Sequence, residues 1–206
     1  MTGNDGSNLK KKLSQAVLLD DLTWAKRTLA ADQRLRKMNE ESRVNLCRES
    51  LSCAAEVYRR LRAKYGEGKP SEYAAKLGVQ VVADDSELIM PWLYFALYNA
   101  QPPTIRVAAR AVMAVRQSIA EMNLEQVLGQ VDLVELAVAH ELFHHLEGLD
   151  SEIYTRSKTV EWVRLKWFKA KSRSLSASEI AGRHFSKLLM GLPYSPIIFE
   201  IILTNA

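Results

Sequence analysis

Ala137-Val138-Ala139-His140-Glu141-Leu142-Phe143-His144-His145-Leu146-Glu147 is the stretch on which the reading of this chain turns. Residues 140–144 spell H-E-x-x-H. Side chains four apart on an α-helix project from one face, one above the other. His140 and His144 at that spacing can bind one Zn²⁺ through ring nitrogens at roughly 2.0–2.1 Å. Glu141 follows the first histidine, where a carboxylate can act as general base toward a water at the metal. The flanks support a helix. Asp132 stands three residues before Glu135, as in a capping box, and Gly148 supplies a stop. Leu133, Leu136, Ala137 and Phe143 fall on a core face. Two histidines in so apolar a helix are costly without partners; the alternative to a metal pair is a pair of hydrogen-bonded core histidines.

A catalytic zinc takes three protein ligands and keeps one position open. Three residues compete for the third place. Glu179 lies 35 residues beyond His144 (179 − 144), near the start of a helix that could cross the first one. Asp150 lies ten residues beyond His140 (150 − 140), the offset of short-spacer zinc peptidases, although Gly148 comes one residue late for their glycine turn. His145 adjoins His144 but points about 100° away around the helix. Glu179 also ends Ser176-Ala177-Ser178-Glu179, which fits S-x-x-E, so a capping role competes with ligation. Asp150 reads equally as a solvated loop residue.

Around this helix the chain is ordinary for a globular protein. Its 206 residues are 48% hydrophobic, enough for one domain with a sizeable core, and the net charge of +4 does not single out nucleic acid. Residues 1–8 read as a disordered polar tail. Residues 9–66 have helical periodicity and form an N-terminal extension, broken at Gly66-Glu67-Gly68-Lys69-Pro70. Residues 71–206 form the second unit. There Ser71 caps a short helix and Gly78 takes its left-handed end. Val79 to Val82, Trp92 to Tyr98 and Thr104 to Val107 suggest a small antiparallel sheet. Ala108 to Met122 and Ser178 to Met190 read as helices, the last stopped by Gly191 and Pro193. Residues 158–173 mix Trp162, Trp167 and Phe168 with basic residues; an amphipathic helix is the plainer reading, a lid or basic docking face the functional one. The expected class is therefore α+β, mostly helical, with a small antiparallel sheet packed on the motif helix. Cys47 and Cys53 fit no metal cluster and read as buried, reduced thiols. No secretory signal and no run of 18 apolar residues stands out, which points to the cytoplasm and away from a membrane partner.

From Ser71 to Met190 the chain resembles the ImmA/IrrE-type metallopeptidases. Three blocks carry the likeness: Ser71 to Val81, Ala137 to His144, and Glu179 to Met190 with Phe185 and Leu188-Leu189-Met190. The resemblance implies a zincin-like fold, with His140, His144 and Glu179 as zinc ligands and Glu141 as general base. It also implies a specific protein substrate, with a transcriptional repressor as the expected class. This chain departs from the pattern at Arg183, where the family has Asn or Asp, at Gly191, where it has Pro, and in a long insertion after Gly148.

Two other functions compete with a zinc-dependent peptidase. One is a catalytically inactive protein of the same fold that acts by protein–protein interaction; Arg183 and the insertion favour it, Glu141 opposes it. The other is a DNA-binding regulator built on Ser71 to Val79, which ranks last because Val79 to Val82 reads as strand where a recognition helix belongs. Direct nucleic-acid binding is not expected. Donors for a reaction's oxyanion are sought among Tyr94, Tyr98, His184 and Tyr194.

Overall fold

The computed structural model describes residues 3–36, 38–84, 95–165 and 168–205, and the side chains among them other than those of 3–7 and 160–172. The chain is mostly helical with a small mixed sheet, an α+β arrangement. Three helices come first: α1 (Gly3–Ala16), α2 (Asp21–Ala31) and, after a 3-10 turn, α3 (Glu40–Tyr65). The stretch expected to be a disordered tail is thus helical from Gly3. Asp20 and Asn39 cap α2 and α3 by accepting from the main-chain N–H of Thr23 and Ser42.

Short helix α4 (Pro70–Lys76) leads through Gly78, at φ +72°, into β1 (Gln80–Asp84). Ser71 does not cap α4 as expected. Its N–H and hydroxyl donate to the Glu135 carboxylate at 2.9 and 2.6 Å, which ties α4 to the motif helix. Strands β2 (Ala96–Ala100) and β3 (Pro103–Ala108) complete the sheet in the order β1-β3-β2. β2 runs antiparallel to β3, but β1 runs parallel to it, so the sheet is mixed rather than antiparallel. β1 and β2 flank β3 without pairing to each other, and the expected strand start at Trp92 lies outside the described residues. Ala96, Ile105 and Val107 are buried on the inner face of the sheet, while Val82, Leu97 and Arg106 share the exposed outer face in register.

Helices α5 (Ala109–Glu121) and α6 (Glu125–Leu128) return the chain to α7 (Leu133–Leu149), the motif helix. Asp132 caps α7 by accepting from Val134 and Glu135 N–H. Glu135 serves α4 instead of closing a capping box. Gly148 lies inside the last turn, one residue before the helix ends. After α7, α8 (Tyr154–Ser157) and an antiparallel pair, β4 (Thr159–Leu165) and β5 (Phe168–Arg173), fill the insertion. The helix expected across 158–173 is therefore a strand pair; Val160 and Trp162, then Val163 and Leu165 beyond a register shift, keep the strand period, which the aromatic and basic content concealed.

The chain ends with α9 (Leu175–Met190) and α10 (Ile197–Leu203). Gly191 closes α9 where a stop was expected, at φ +66° in the left-handed region. α9 packs along both α7 and α3. Phe143 of α7 and Phe185 of α9 are buried with ring centroids 5.7 Å apart. Trp24, Ala54, Val57 and Leu61 join the same core, so the first three helices share their hydrophobic interior with the rest. Cys47 and Cys53 are buried and free. Among the described residues no helix is long and apolar enough to cross a membrane.

Candidate metal centre

α7 and α9 cross where His140, His144 and Glu179 face one another. The helix period brings both imidazoles onto the α9 side of α7. α9 begins at Leu175 with Ser174 as its cap, accepting from Ala177 N–H at 3.1 Å. Glu179 therefore stands in the second turn of α9, and the capping alternative for it falls away. Its two oxygens lie 3.4 Å from His140 Nε2 and 3.5 Å from His144 Nε2. The two Nε2 atoms are 3.1 Å apart. Ligand atoms spaced tetrahedrally at roughly 2.0–2.1 Å from an ion stand about 3.3–3.4 Å from one another. The two histidine nitrogens stand close to that edge, Glu179 reaches each of them with a different oxygen, and one donor atom from each residue lies within 4.8 Å of the others, so His140, His144 and Glu179 together could hold a metal ion.

The competing third ligands lie elsewhere. Asp150 ends α7, accepts from Glu152 N–H at 2.8 Å and pairs with Arg60 at 3.4 Å. His145 is buried and turned away, its Nδ1 2.8 Å from the Tyr98 hydroxyl.

The second nitrogen of His144 is set by a polar chain that the sequence reading missed. Thr155 of α8 donates to Glu147 Oε1, and Ser178 donates to Glu147 Oε2 at 2.8 Å. A hydroxyl has one hydrogen to give. With that hydrogen on Glu147, Ser178 Oγ accepts from His144 Nδ1, 3.3 Å away. In the neutral ring, a proton kept on Nδ1 by this chain leaves a lone pair on Nε2, the atom that faces His140 and Glu179. Glu147 was detectable at i+3 from His144. Ser178 was seen only as part of a cap.

Gly182 is a second missed residue. A Cβ there would meet His140 Cε1 at 3.0 Å, with both ring nitrogens at 3.3 Å. The close crossing of α9 over His140 thus depends on a glycine in mid-helix, a placement that usually marks close packing or function. Arg183 forms a two-pronged pair with Glu200 of α10 at 2.6 and 2.9 Å.

Burial alone would raise the Glu179 carboxyl, but hydrogen bonds from His140 and His144 outweigh it and hold the group well below the usual carboxylate range. Burial would lower His144; its hydrogen bonds to Glu147 and Glu179 prevail and push it up to about 10 in the metal-free protein. Glu141 shifts the other way. Burial pushes its carboxyl up, against the opposing pull of the two imidazoles. It lines a cavity of about 120 Å³ beside His140 and Glu179, walled by apolar residues including Leu133, Leu136 and Phe199.

Of the expected oxyanion donors none reaches this cavity among the described residues. The Tyr98 hydroxyl is engaged by His145, the buried Tyr194 hydroxyl donates to Leu128 C=O at 2.6 Å, and His184 faces Asp21 of α2. Tyr94 lies outside the described residues. In comparisons with known proteins, no family model, no curated protein and no solved structure matches the chain.

Proposed function

We propose that this chain is a zinc-dependent metallopeptidase of zincin-like build, with His140, His144 and Glu179 as ligands and Glu141 as general base. One observation carries the reading: three donors of the right type lie within reach of one ion, with a half-buried carboxylate beside them on the wall of one cavity. A purely structural metal site has no use for that carboxylate.

Zinc, when bound, polarises a scissile carbonyl and lowers the pKa of water toward about 7. Glu141 takes a proton from the attacking water as its oxygen bonds to the carbonyl carbon. The carbonyl electron pair moves onto oxygen. When the C–N bond breaks, Glu141 returns the proton to the leaving nitrogen. Burial suits Glu141 to this exchange, because it brings the carboxyl nearer to neutral pH. His144 must give up its extra proton to serve as a ligand, so loading releases a proton from the site. By the sequence resemblance, the substrate is a specific protein, with a transcriptional repressor as the leading class.

Hydrolysis of casein by the zinc-loaded chain tests the reading. Glu141→Gln should keep zinc and lose hydrolysis; retained hydrolysis would sink the mechanism. The alternative, an inactive binding protein of the same build, has one observation in its favour: the Tyr98 and Tyr194 hydroxyls are spent elsewhere. It predicts zinc in both proteins and hydrolysis in neither.

A further inference from the structure

The metal cavity is poor in donors. Glu141, Glu179 and Glu200 line it as carboxylates, and the cationic side chain among them is Arg183. A reaction that builds negative charge on an oxygen there needs an N–H or O–H aimed at that oxygen, and the metal alone leaves this unsupplied.

Arg183 sits one turn beyond Glu179 on α9, so both side chains share a face. Glu200 fixes the guanidinium, accepting from Nε at 2.6 Å and Nη2 at 2.9 Å. A planar fork held at two points cannot swing. Nη2 carries two hydrogens, and one is committed to Glu200. The same nitrogen stands 3.7 Å from Glu179 Oε2, beyond hydrogen-bond distance. One N–H of a rigid, permanently charged group is thereby held next to a ligand oxygen on the cavity wall. An Asn or Asp at 183 could not extend as far.

We propose that Arg183 is a catalytic residue, the donor that stabilises the oxyanion formed when water adds to the scissile carbonyl, and that Glu200 is the positioning residue that aims it. The inference rests on the peptidase reading and names a part that reading lacks. As the water oxygen bonds to carbon, the carbonyl electron pair moves to oxygen and Nη2–H donates to it. As the C–N bond breaks, the pair returns to reform C=O and the hydrogen bond weakens. Arg183 keeps its proton throughout. The departure at 183 then replaces one device with another, and explains why the site manages without the hydroxyl of Tyr98 or Tyr194.

The test is binding of two matched probes to the full zinc-loaded chain by calorimetry: a phosphinic tripeptide, whose tetrahedral anion mimics the oxyanion, and the amide of the same sequence. Wild type should prefer the phosphinate. Arg183→Lys keeps the charge and can keep the pair with Glu200, but loses the fork. It should lose phosphinate affinity on the order of a hundredfold while amide affinity and zinc content hold. Glu200→Gln should lose an intermediate part, without a change in zinc content. A wild type with no preference for the phosphinate overturns the proposal, and so does an Arg183→Lys protein that keeps the preference. Casein hydrolysis, measured in parallel, separates the two readings. Hydrolysis with an unchanged kcat in Arg183→Lys removes the role of Arg183 and leaves the peptidase. Arg183-dependent phosphinate binding without hydrolysis in wild type removes the peptidase and leaves the anion-recognising donor.

Discussion

The two sides of the α7–α9 crossing are built differently. On the His144 side, Glu147, Ser178 and Thr155 fill the space with a closed chain of hydrogen bonds that joins three helices. On the His140 side there is a glycine, then a cavity of about 120 Å³ lined by Glu141 and Arg183. The difference teaches a division of labour. The braced side fixes one imidazole in orientation and tautomer, which is what holding an ion requires. The open side leaves room beside the other imidazole, which is what admitting a substrate requires. Substitutions on the first side should therefore change metal affinity, and those on the second should change turnover with the metal retained.

Glu147→Gln strikes the braced side hardest. Zinc affinity should fall by about 10–100-fold, the usual effect of losing such a partner; competition with a chromophoric chelator measures it. An unchanged affinity would erase the distinction between the sides. Gly182→Ala strikes the open side. His140 must yield by a few tenths of an ångström to the new Cβ. Casein hydrolysis should drop on the order of tenfold, with zinc still bound at one per chain. Loss of zinc instead would show that the open side also holds the ion.

Tyr98→Phe probes neither side directly. It strips the buried His145 of the hydroxyl at 2.8 Å and should lower stability by about 1 kcal/mol in a denaturant titration, with zinc content unchanged. The smallest effect concerns pH and lies on the face of α9 away from the metal. Burial lowers the pKa of His184; Asp21 opposes this at 3.4 Å, but Lys187 already neutralises that carboxylate at 2.8 Å. The unfolded chain therefore takes up a proton at His184 as pH falls through about 6.5, while the folded chain resists it. Stability from this residue is present above that pH and lost below it. His184→Gln should flatten the fall in Tm between pH 7 and 5; an identical slope would contradict the assignment.

How much of this was legible in the sequence follows from where the information lies. α7 carried its own evidence: H-E-x-x-H at helical spacing, Asp132 before it, an apolar face within it. Local periodicity also gave α3, α5 and the end of α9 at Gly191. The direction of β1 was not readable, because parallel or antiparallel pairing depends on the route between strands rather than on composition. The strand pair at 159–173 was missed because aromatic and basic residues fit an amphipathic helix as well as a strand. At the site, Glu179 was found by spacing and resemblance, yet its competitor Asp150 could be set aside only when α7 was seen to end there, turned toward Arg60. Ser178, Gly182 and Glu200 act across helices, through contacts no local pattern encodes. Arg183 looked like damage to a site and reads differently once Glu200 is seen to hold it.

The central claim is that α9 supplies the third ligand. Elemental analysis of zinc per chain in wild type, Glu179→Ala and Asp150→Ala tests it most directly. The account predicts about one zinc in wild type and in Asp150→Ala, and none in Glu179→Ala. Zinc retained in Glu179→Ala, or a wild type that takes up none at neutral pH, would contradict it.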